Sequence, residues 1–166
     1  MKITASAIFW RGVITALAAF LFAAAVPEAG FAQSDPLTGT WKLNLAKSTF
    51  SPGLAPRSAT VRYEAVPQGL RATTDIVDAQ GKRGRGVFTI IHDGQPHLVT
   101  GVPDADSSIY KPVNANTVEY TRMKGGRVVQ TGVRAVSSDG RTMTFTSKRL
   151  NAQEQNVLDV FVYEKQ

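Results

Sequence analysis

The side chains best suited to acid–base or metal chemistry are two histidines that flank one turn of this 166-residue chain. His92 and His97 lie on either side of Asp93-Gly94, so a metal between them would find the Asp93 carboxylate as a third ligand. One hairpin supplies no fourth protein ligand, and we interpret both histidines as surface turn residues. His97 is the better placed of the two to serve as an axial haem ligand. We predict neither a metal site nor another cofactor.

The parts of a nucleophilic active site are missing from the sequence. The chain contains no cysteine, which excludes a catalytic thiol and thiolate-bound metals. It also has no Gly-x-Ser-x-Gly elbow. Serines such as Ser107 and Ser108 fall in turn-like segments, where hydroxyl groups bond the local backbone. We predict a protein without enzymatic activity.

The densest run of positive charge, residues 82–86 with the sequence Lys-Arg-Gly-Arg-Gly, could contact phosphate groups. No aromatic residue lies within it, so the stacking surface of single-strand nucleic-acid binders is missing. We interpret the run as a solvated hairpin tip whose charges keep a sheet edge soluble. The formal charge of +6 then indicates solubility and weak attraction to anionic surfaces, with no nucleic-acid partner.

Residues 1–32 have the three-part layout of a secretory signal peptide. A short basic start precedes an uncharged stretch, 12–26, and small residues stand before a cleavage point after Ala32. The uncharged stretch is shorter than the ~20 residues of a membrane-spanning helix. We expect a cleaved leader and one mature domain, residues 33–166, that is periplasmic or secreted.

The mature sequence alternates between apolar and polar residues with a period of two, which is typical of strands with one buried face. Val61, Tyr63 and Ala65, for example, alternate with Arg62 and Glu64. Short links place sequence neighbours side by side, so we predict an all-β antiparallel up-and-down meander of about nine or ten strands closing into a barrel. The strand-like runs are 40–45, 61–65, 70–76, 87–91, 98–102, 117–123, 128–136, 142–147 and 157–163.

Two features predict how the meander closes. The last run, 157–163, should pair with the first run around Trp41, because closure removes exposed sheet edges. The longest link, 46–57, is rich in serine and proline and could cover one end of the barrel.

The start of the mature domain resembles a known family of barrels. Gly39-Thr40-Trp41 is similar to the Gly-x-Trp opening of lipocalins and related calycins, and segments 116–119, 124–129 and 138–144 resemble those of small exported bacterial lipocalin-like proteins. The resemblance covers nearly all of the mature chain. It implies that Trp41 closes one barrel end beneath a basic residue, a place that falls to Arg149 through cation–π stacking.

The strand count is similar to that of the intracellular fatty-acid-binding branch of these barrels. That branch holds a ligand carboxylate with an Arg-x-Tyr on the last strand. Here Phe161 stands two residues before Tyr163, so the sequence does not predict that clamp.

The barrel interior is where the sequence predicts a site, since small closed barrels either fill with side chains or hold one small ligand. Tyr120 and Arg122 could orient a ligand if their shared strand face points inward, and would otherwise form a surface pair. The predicted cavity residues are Tyr63, Leu70, Ile76, Phe88, Ile90, Tyr120, Arg122, Met143 and Phe145.

These patterns favour an exported, monomeric, non-enzymatic barrel that buries a small apolar or amphipathic molecule. The alternative is a periplasmic protein-interaction or protease-inhibitor barrel that acts through its rim and loops. Link 46–57 separates the two hypotheses. A mobile, exposed link would suit a protease cleft, whereas a packed lid would favour a ligand pocket.

Overall fold

The computed structural model describes residues 35–51, 54–102, 104–150 and 155–166, which form one antiparallel sheet of ten strands. The predicted leader, 1–32, lies outside the described residues. No helix among the described residues has the length and apolar character that a membrane crossing requires. The strands are β1 (Gly39–Leu43), β2 (Ser58–Val66), β3 (Gly69–Val77), β4 (Arg83–Ile90), β5 (His97–Leu98), β6 (Ser107–Asn114), β7 (Thr117–Lys124), β8 (Arg127–Val136), β9 (Thr142–Leu150) and β10 (Asn156–Lys165), with a 3-10 helix at Leu45–Lys47.

The strand order confirms the predicted meander. It runs β4-β3-β2-β1-β10-β9-β8-β7-β6-β5, so consecutive strands pair and β1 joins β10. Leu43 of β1 lies opposite Tyr163 of β10, which is the closure expected from the sequence. Strands β4 and β5 form the two edges, and the twist of the sheet curls it into a half-barrel. Arg122 of β7 reaches across the interior, its guanidinium carbon 6.0 Å from the ring centroid of Phe88 in β4.

The core follows from the alternation in the sequence, because successive residues of a strand point to opposite faces. In β2, Val61 and Tyr63 are buried and Arg62 is exposed. The inward residues of all the long strands meet in one apolar cluster. Its most deeply buried large side chains are Trp41, Ile90, Tyr110 and Met143.

Strand β6 was not among the predicted runs. Ser107 and Ser108, expected in a turn, lie in this strand, and Ser108 is 0% exposed. Serine, proline and asparagine are typical of turns, but ladder pairing with β7 overrides that local preference. Pro112 is tolerated because β5 is short and pairs only with Ser107 and Ser108, which leaves the rest of β6 as an edge.

The basic run at 82–86 is not a hairpin tip. The turn lies earlier, where the Gly81 N–H donates to the Asp78 carbonyl oxygen. Arg83 and Arg85 belong to β4, paired with β3. Their charges therefore lie along an edge strand, where they still oppose edge-to-edge aggregation.

Trp41 is buried beneath a cation, but a different one from the cation that the family resemblance implied. The indole is 0% exposed, and its Nε1–H donates to the Leu37 carbonyl oxygen at 2.6 Å. The Lys165 ammonium lies 5.2 Å from the indole ring centroid. The placement of Arg149 on Trp41 is therefore wrong, because Arg149 instead forms an ion pair with Asp159 at 3.2 Å.

Candidate functional site

The inner faces of β7 to β10 carry polar groups in rows that cross the four strands. Alternate residues of each strand point inward, and the register sets the residues of one row side by side. The Arg134 row consists of Val118, Arg134, Phe145 and Phe161, the middle row of Tyr120, Gly132, Ser147 and Asp159, and the Arg122 row of Arg122, Gln130, Arg149 and Val157.

A cavity of about 220 Å³ lies against these rows and is closed by β2, β3 and β4. Six of the predicted cavity residues line it: Tyr63, Ile76, Phe88, Arg122, Met143 and Phe145. Three do not, although all are buried: Leu70, Ile90 and Tyr120. Leu70 and Ile90 pack elsewhere in the core, and Tyr120 lies behind the wall, stacked on Phe145, so the assignment of these three to the cavity wall is corrected. The structure also resolves the orientation of the Tyr120 and Arg122 face, which points inward.

Arg134 is the most unusual group in the cavity wall. It is 4% exposed, and its guanidinium carbon lies 5.2 Å from the ring centroid of Phe145 and 5.3 Å from that of Tyr63. The Tyr110 ring lies 5.9 Å away. These rings supply cation–π attraction, while Nε and Nη1 of Arg134 have no hydrogen-bond partner.

No carboxylate of the described residues forms an ion pair with Arg134. Asp35, which lines a neighbouring pocket together with Arg134, faces His92 instead. Burying an ion without a partner is costly, and an arginine side chain does not escape by losing its proton. Tyr63, on the facing wall, is neutral at physiological pH, since burial raises its pKa. The Arg134 guanidinium is therefore suited to bind an anionic group that enters the cavity.

Arg122 is a second cation of the same cavity, on β7. Its Nη1 donates to Oε1 of Gln130 at 2.9 Å, and Gln130 in turn donates from Nε2 to the Ser147 hydroxyl. The Arg122 Nε is buried without a partner. Its guanidinium carbon lies 5.6 Å from the Tyr120 ring centroid, so the group is held by stacking on one side and by an amide on the other.

The third cation of the cavity, Arg149, is neutralised by Asp159, which is 5% exposed. The same carboxylate accepts a hydrogen bond from the Ser51 N–H at 3.3 Å. Thr49 forms a bridge with Val160 of β10. The described first half of link 46–57 is thus packed against the barrel as a lid.

Two stacked aromatic rings connect the two free arginines along the wall of the barrel. Tyr120 stacks on Phe145 with ring centroids 4.9 Å apart, and its hydroxyl donates to the Thr146 carbonyl oxygen at 3.2 Å. Burial raises the pKa of Tyr120 to about 12 and raises that of Tyr163. Gly132 makes the stack possible, because a Cβ there would lie 2.6 Å from a ring carbon of Tyr120.

The two histidines lie at separate places and each faces its own carboxylate. His97 Nε2 lies 2.9 Å from an oxygen of Asp93, and His92 Nδ1 lies 3.5 Å from Asp35. Burial lowers the pKa of His92. Across residues 35–51, 54–102, 104–150 and 155–166, no group of three or more His, Cys, Asp or Glu side chains could hold a metal ion.

Sequence reasoning missed Arg134, Gln130 and Ser147. The run 128–136 is rich in valine, which suggests that its apolar residues face the core. The register instead turns Gln130, Gly132 and Arg134 inward. The sequence does show polar residues or glycine at every second position from Gln130 to Arg134. That alternation identifies the inner face of β8 only once Arg134 is known to lie opposite Phe145.

Comparisons with known proteins identify the fold. No protein-family model matches the chain, and no curated protein sequence gives a significant match. The chain is similar to a fatty acid binding protein of Schistosoma mansoni in complex with arachidonic acid, with a TM-score of 0.50, 14% identity, and coverage of 79% of this chain and 96% of that chain. At this identity the likeness shows the fold alone, which is a calycin-type β-barrel.

Two further solved structures are less similar. A zebrafish ileal bile acid-binding protein complexed with cholic acid gives a TM-score of 0.49 at 12% identity, covering 79% of this chain and 99% of that chain. A siderocalin, Ex-FABP, described as having dual ligand specificities, gives 0.36 at 8% identity, covering 79% and 74%.

Proposed function

We propose that this chain is an exported, non-enzymatic barrel that binds one small amphipathic anion in its interior. The observation that carries the proposal is the guanidinium of Arg134, buried in the cavity wall with Nε and Nη1 unpartnered. The anionic head of the ligand would lie at Arg134, and its apolar body would lie along the aromatic and aliphatic wall.

The free-energy balance supports an anionic head in particular. Aromatic contacts offset part of the cost of burying Arg134, each by roughly 0.5–2 kcal/mol. The penalty of desolvating an ion is several kcal/mol, so a deficit remains in the empty barrel. A carboxylate would remove it with charge-assisted hydrogen bonds to Nε and Nη1.

The remaining wall suits a short apolar body. Phe88, Met143 and Phe145 face the cavity, and burial of apolar surface contributes roughly 25 cal/mol per Å². The cavity of about 220 Å³ is smaller than the ~300–1,000 Å³ of typical ligand pockets. The occupant is therefore a compact molecule.

The fold neighbour from Schistosoma mansoni supports the ligand class. Its structure holds arachidonic acid, which is itself an amphipathic carboxylic acid. In this chain the inward arginine is on β8, and the last strand carries Phe161 two residues before Tyr163. The head group would accordingly be held by a different strand from the one that the family resemblance implies.

The packing of the lid favours a ligand pocket over a protease inhibitor that acts through its loops. Phe50 lies edge-on to Phe161, with ring centroids 5.1 Å apart, and Ser48 accepts a hydrogen bond from the Val162 N–H at 2.9 Å. Residues 48–51 are therefore poorly suited to insertion into a protease cleft, whereas Leu54, further along the link, is 75% exposed.

Export and the monomeric state are part of the same proposal. The leader-like residues 1–32 support secretion to the periplasm or beyond, and a site built within one chain requires no second subunit. Amino-terminal sequencing of protein recovered from the periplasm should begin at Gln33. Recovery of the full-length chain in the membrane fraction would contradict export.

The test of the binding function is direct extraction. Exported wild-type protein and the Arg134→Gln variant, purified identically, would be denatured in organic solvent and their extracts compared by mass spectrometry. We expect a small amphipathic anion in the wild-type extract and its depletion in that of Arg134→Gln, with the exposed Arg127→Gln as control. Extracts free of such a molecule, with no saturable uptake of anionic dyes, would contradict the proposal.

A further inference from the structure

The cavity contains more positive charge than a single carboxylate can neutralise. Among the described residues that line it are three arginines and one aspartate. Asp159 is taken by Arg149, which leaves Arg122 and Arg134 without a carboxylate partner. An occupant carrying one negative charge at Arg134 would leave the half-buried Arg122, whose Nε is buried, without an anionic partner.

The two free cations lie at different ends of the inward face. Arg134 pairs across the ladder with Val118, and Arg122 lies four residues further along the same strand. At ~3.4 Å per residue, the two rows are separated by ~14 Å along the strands. The stacked rings of Tyr120 and Phe145 stand between the two guanidinium groups, each ring contacting one of them.

The Arg122 end is organised as a polar site and is not a chance surface pair. Gln130 accepts from Arg122 and donates to Ser147, which is 1% exposed. These two hydrogen bonds hold the Arg122 guanidinium in place, and its buried Nε remains without a protein partner. A buried donor without a partner is destabilising, and a second anionic group of the ligand would supply the missing acceptor.

We propose that the ligand is a dianion with its two charges at opposite ends of a short apolar body, of which a small dicarboxylate is the simplest example. One carboxylate meets Arg134, the other meets Arg122, and the body lies along Phe88, Met143 and Phe145. This inference rests on the proposed function and adds the second charge and its position. Gln130 is a positioning residue that acts through Arg122.

Four probes of known chemistry test the inference by isothermal titration: octanedioate, its monomethyl ester, octanoate and octyl phosphate. Octanedioate should bind wild-type protein at least tenfold more tightly than its monomethyl ester, since a charge-assisted contact contributes roughly 1.5–3 kcal/mol. Octyl phosphate, whose two charges share one end, should show no such advantage over octanoate.

Variants locate the second charge. In Arg122→Gln, the preference for octanedioate over its ester should fall to about one, whereas the exposed Arg127→Gln should keep the wild-type ratio. Arg122→Lys keeps the positive charge without the planar guanidinium, so it should retain part of the preference for octanedioate over its ester. Far-ultraviolet circular dichroism checks that each variant is folded, and the wild-type ratio remains decisive if Arg122→Gln is not.

The outcomes separate this inference from the proposed function. If octanoate binds but octanedioate has no advantage, or if Arg122→Gln leaves that advantage intact, the two-ended dianion is overturned and the binding barrel stands. A preference for octyl phosphate that depends on Arg122 would overturn it too, because both charges would then share one end. Failure of all four probes to bind would overturn both.

Discussion

The side chain on which the account depends is Arg134, because a buried cation without a counterion is rarely kept for stability. It is 4% exposed and has no ion-pair partner among the described residues. Three aromatic rings surround it, but a methionine of similar length would pack against the same rings without a desolvation penalty. The charge is therefore best explained by what the cavity binds.

Replacing Arg134 with methionine should separate stability from binding. We expect the free energy of unfolding of the ligand-free protein to rise by about 1–2 kcal/mol, since the desolvation cost exceeds the lost cation–π attraction. Urea unfolding measures this. The exposed Arg127→Met variant should stay within about 0.5 kcal/mol of the wild type. A loss of more than about 1 kcal/mol in Arg134→Met would mark the arginine as structural.

The buried tyrosines predict how stability depends on alkaline pH. Burial raises the pKa of Tyr120 to about 12 and also raises those of Tyr63 and Tyr163, whereas unfolded tyrosines ionise near pH ~10. A raised folded-state pKa means that the unfolded chain loses protons first. The stabilisation is complete below pH ~10 and is lost as pH rises toward the folded-state values.

Unfolding in urea at pH about 9 and about 11 should therefore show a lower free energy of unfolding at the higher pH. The contribution of Tyr63, Tyr120 and Tyr163 to the tyrosinate absorbance of the folded protein should stay low at pH about 11, where exposed tyrosines are largely ionised. Tyr120→Phe should reduce the decline in stability. A folded-state titration of all the tyrosines near pH ~10 would contradict their burial.

At the scale of elements, alternation and β-rich composition predicted the meander and nine of its ten strands, although the predicted run 98–102 overlaps β5 only at Leu98. The sequence did not predict β6, because Ser107, Ser108 and Pro112 are residue types typical of turns. In the structure they pair with β7 as strand residues. The inward face of β8 could not be predicted from the sequence either, because three of its inward residues, Gln130, Gly132 and Arg134, are polar or glycine. Register depends on the neighbouring strands, which a local pattern does not contain.

Gly132 is the position where one element depends most closely on another. A Cβ there would collide with the Thr146 carbonyl oxygen and lie 2.7 Å from the Tyr120 hydroxyl oxygen. We expect Gly132→Ala to lower the free energy of unfolding by about 2–3 kcal/mol through overpacking. Thermal or urea unfolding measures the loss.

Gly84 in β4 is the matched control. A Cβ at Gly84 would meet nothing within 4 Å, so Gly84→Ala should change stability by less than about 0.5 kcal/mol. Equal effects of the two substitutions would show that Gly132 is not held between Tyr120 and β9.

At the scale of the whole molecule, the charges divide into two groups with different roles. Arg83 and Arg85 lie along the β4 edge, in contact with solvent, and contribute to solubility. Arg122 and Arg134 line the interior, where a charge is costly and therefore informative. The formal charge of +6 does not distinguish the two groups. The proposed function depends on the interior arginines, Arg122 and Arg134.

The most direct measurement is the calorimetric titration of octanoate into wild-type protein and into Arg134→Gln. We predict saturable binding of one octanoate per wild-type chain and at least tenfold weaker binding to the variant, since a buried charge-assisted contact contributes roughly 1.5–3 kcal/mol. Arg127→Gln should bind as the wild type does. An absence of saturable binding, or equal binding by wild type and Arg134→Gln, would contradict the account.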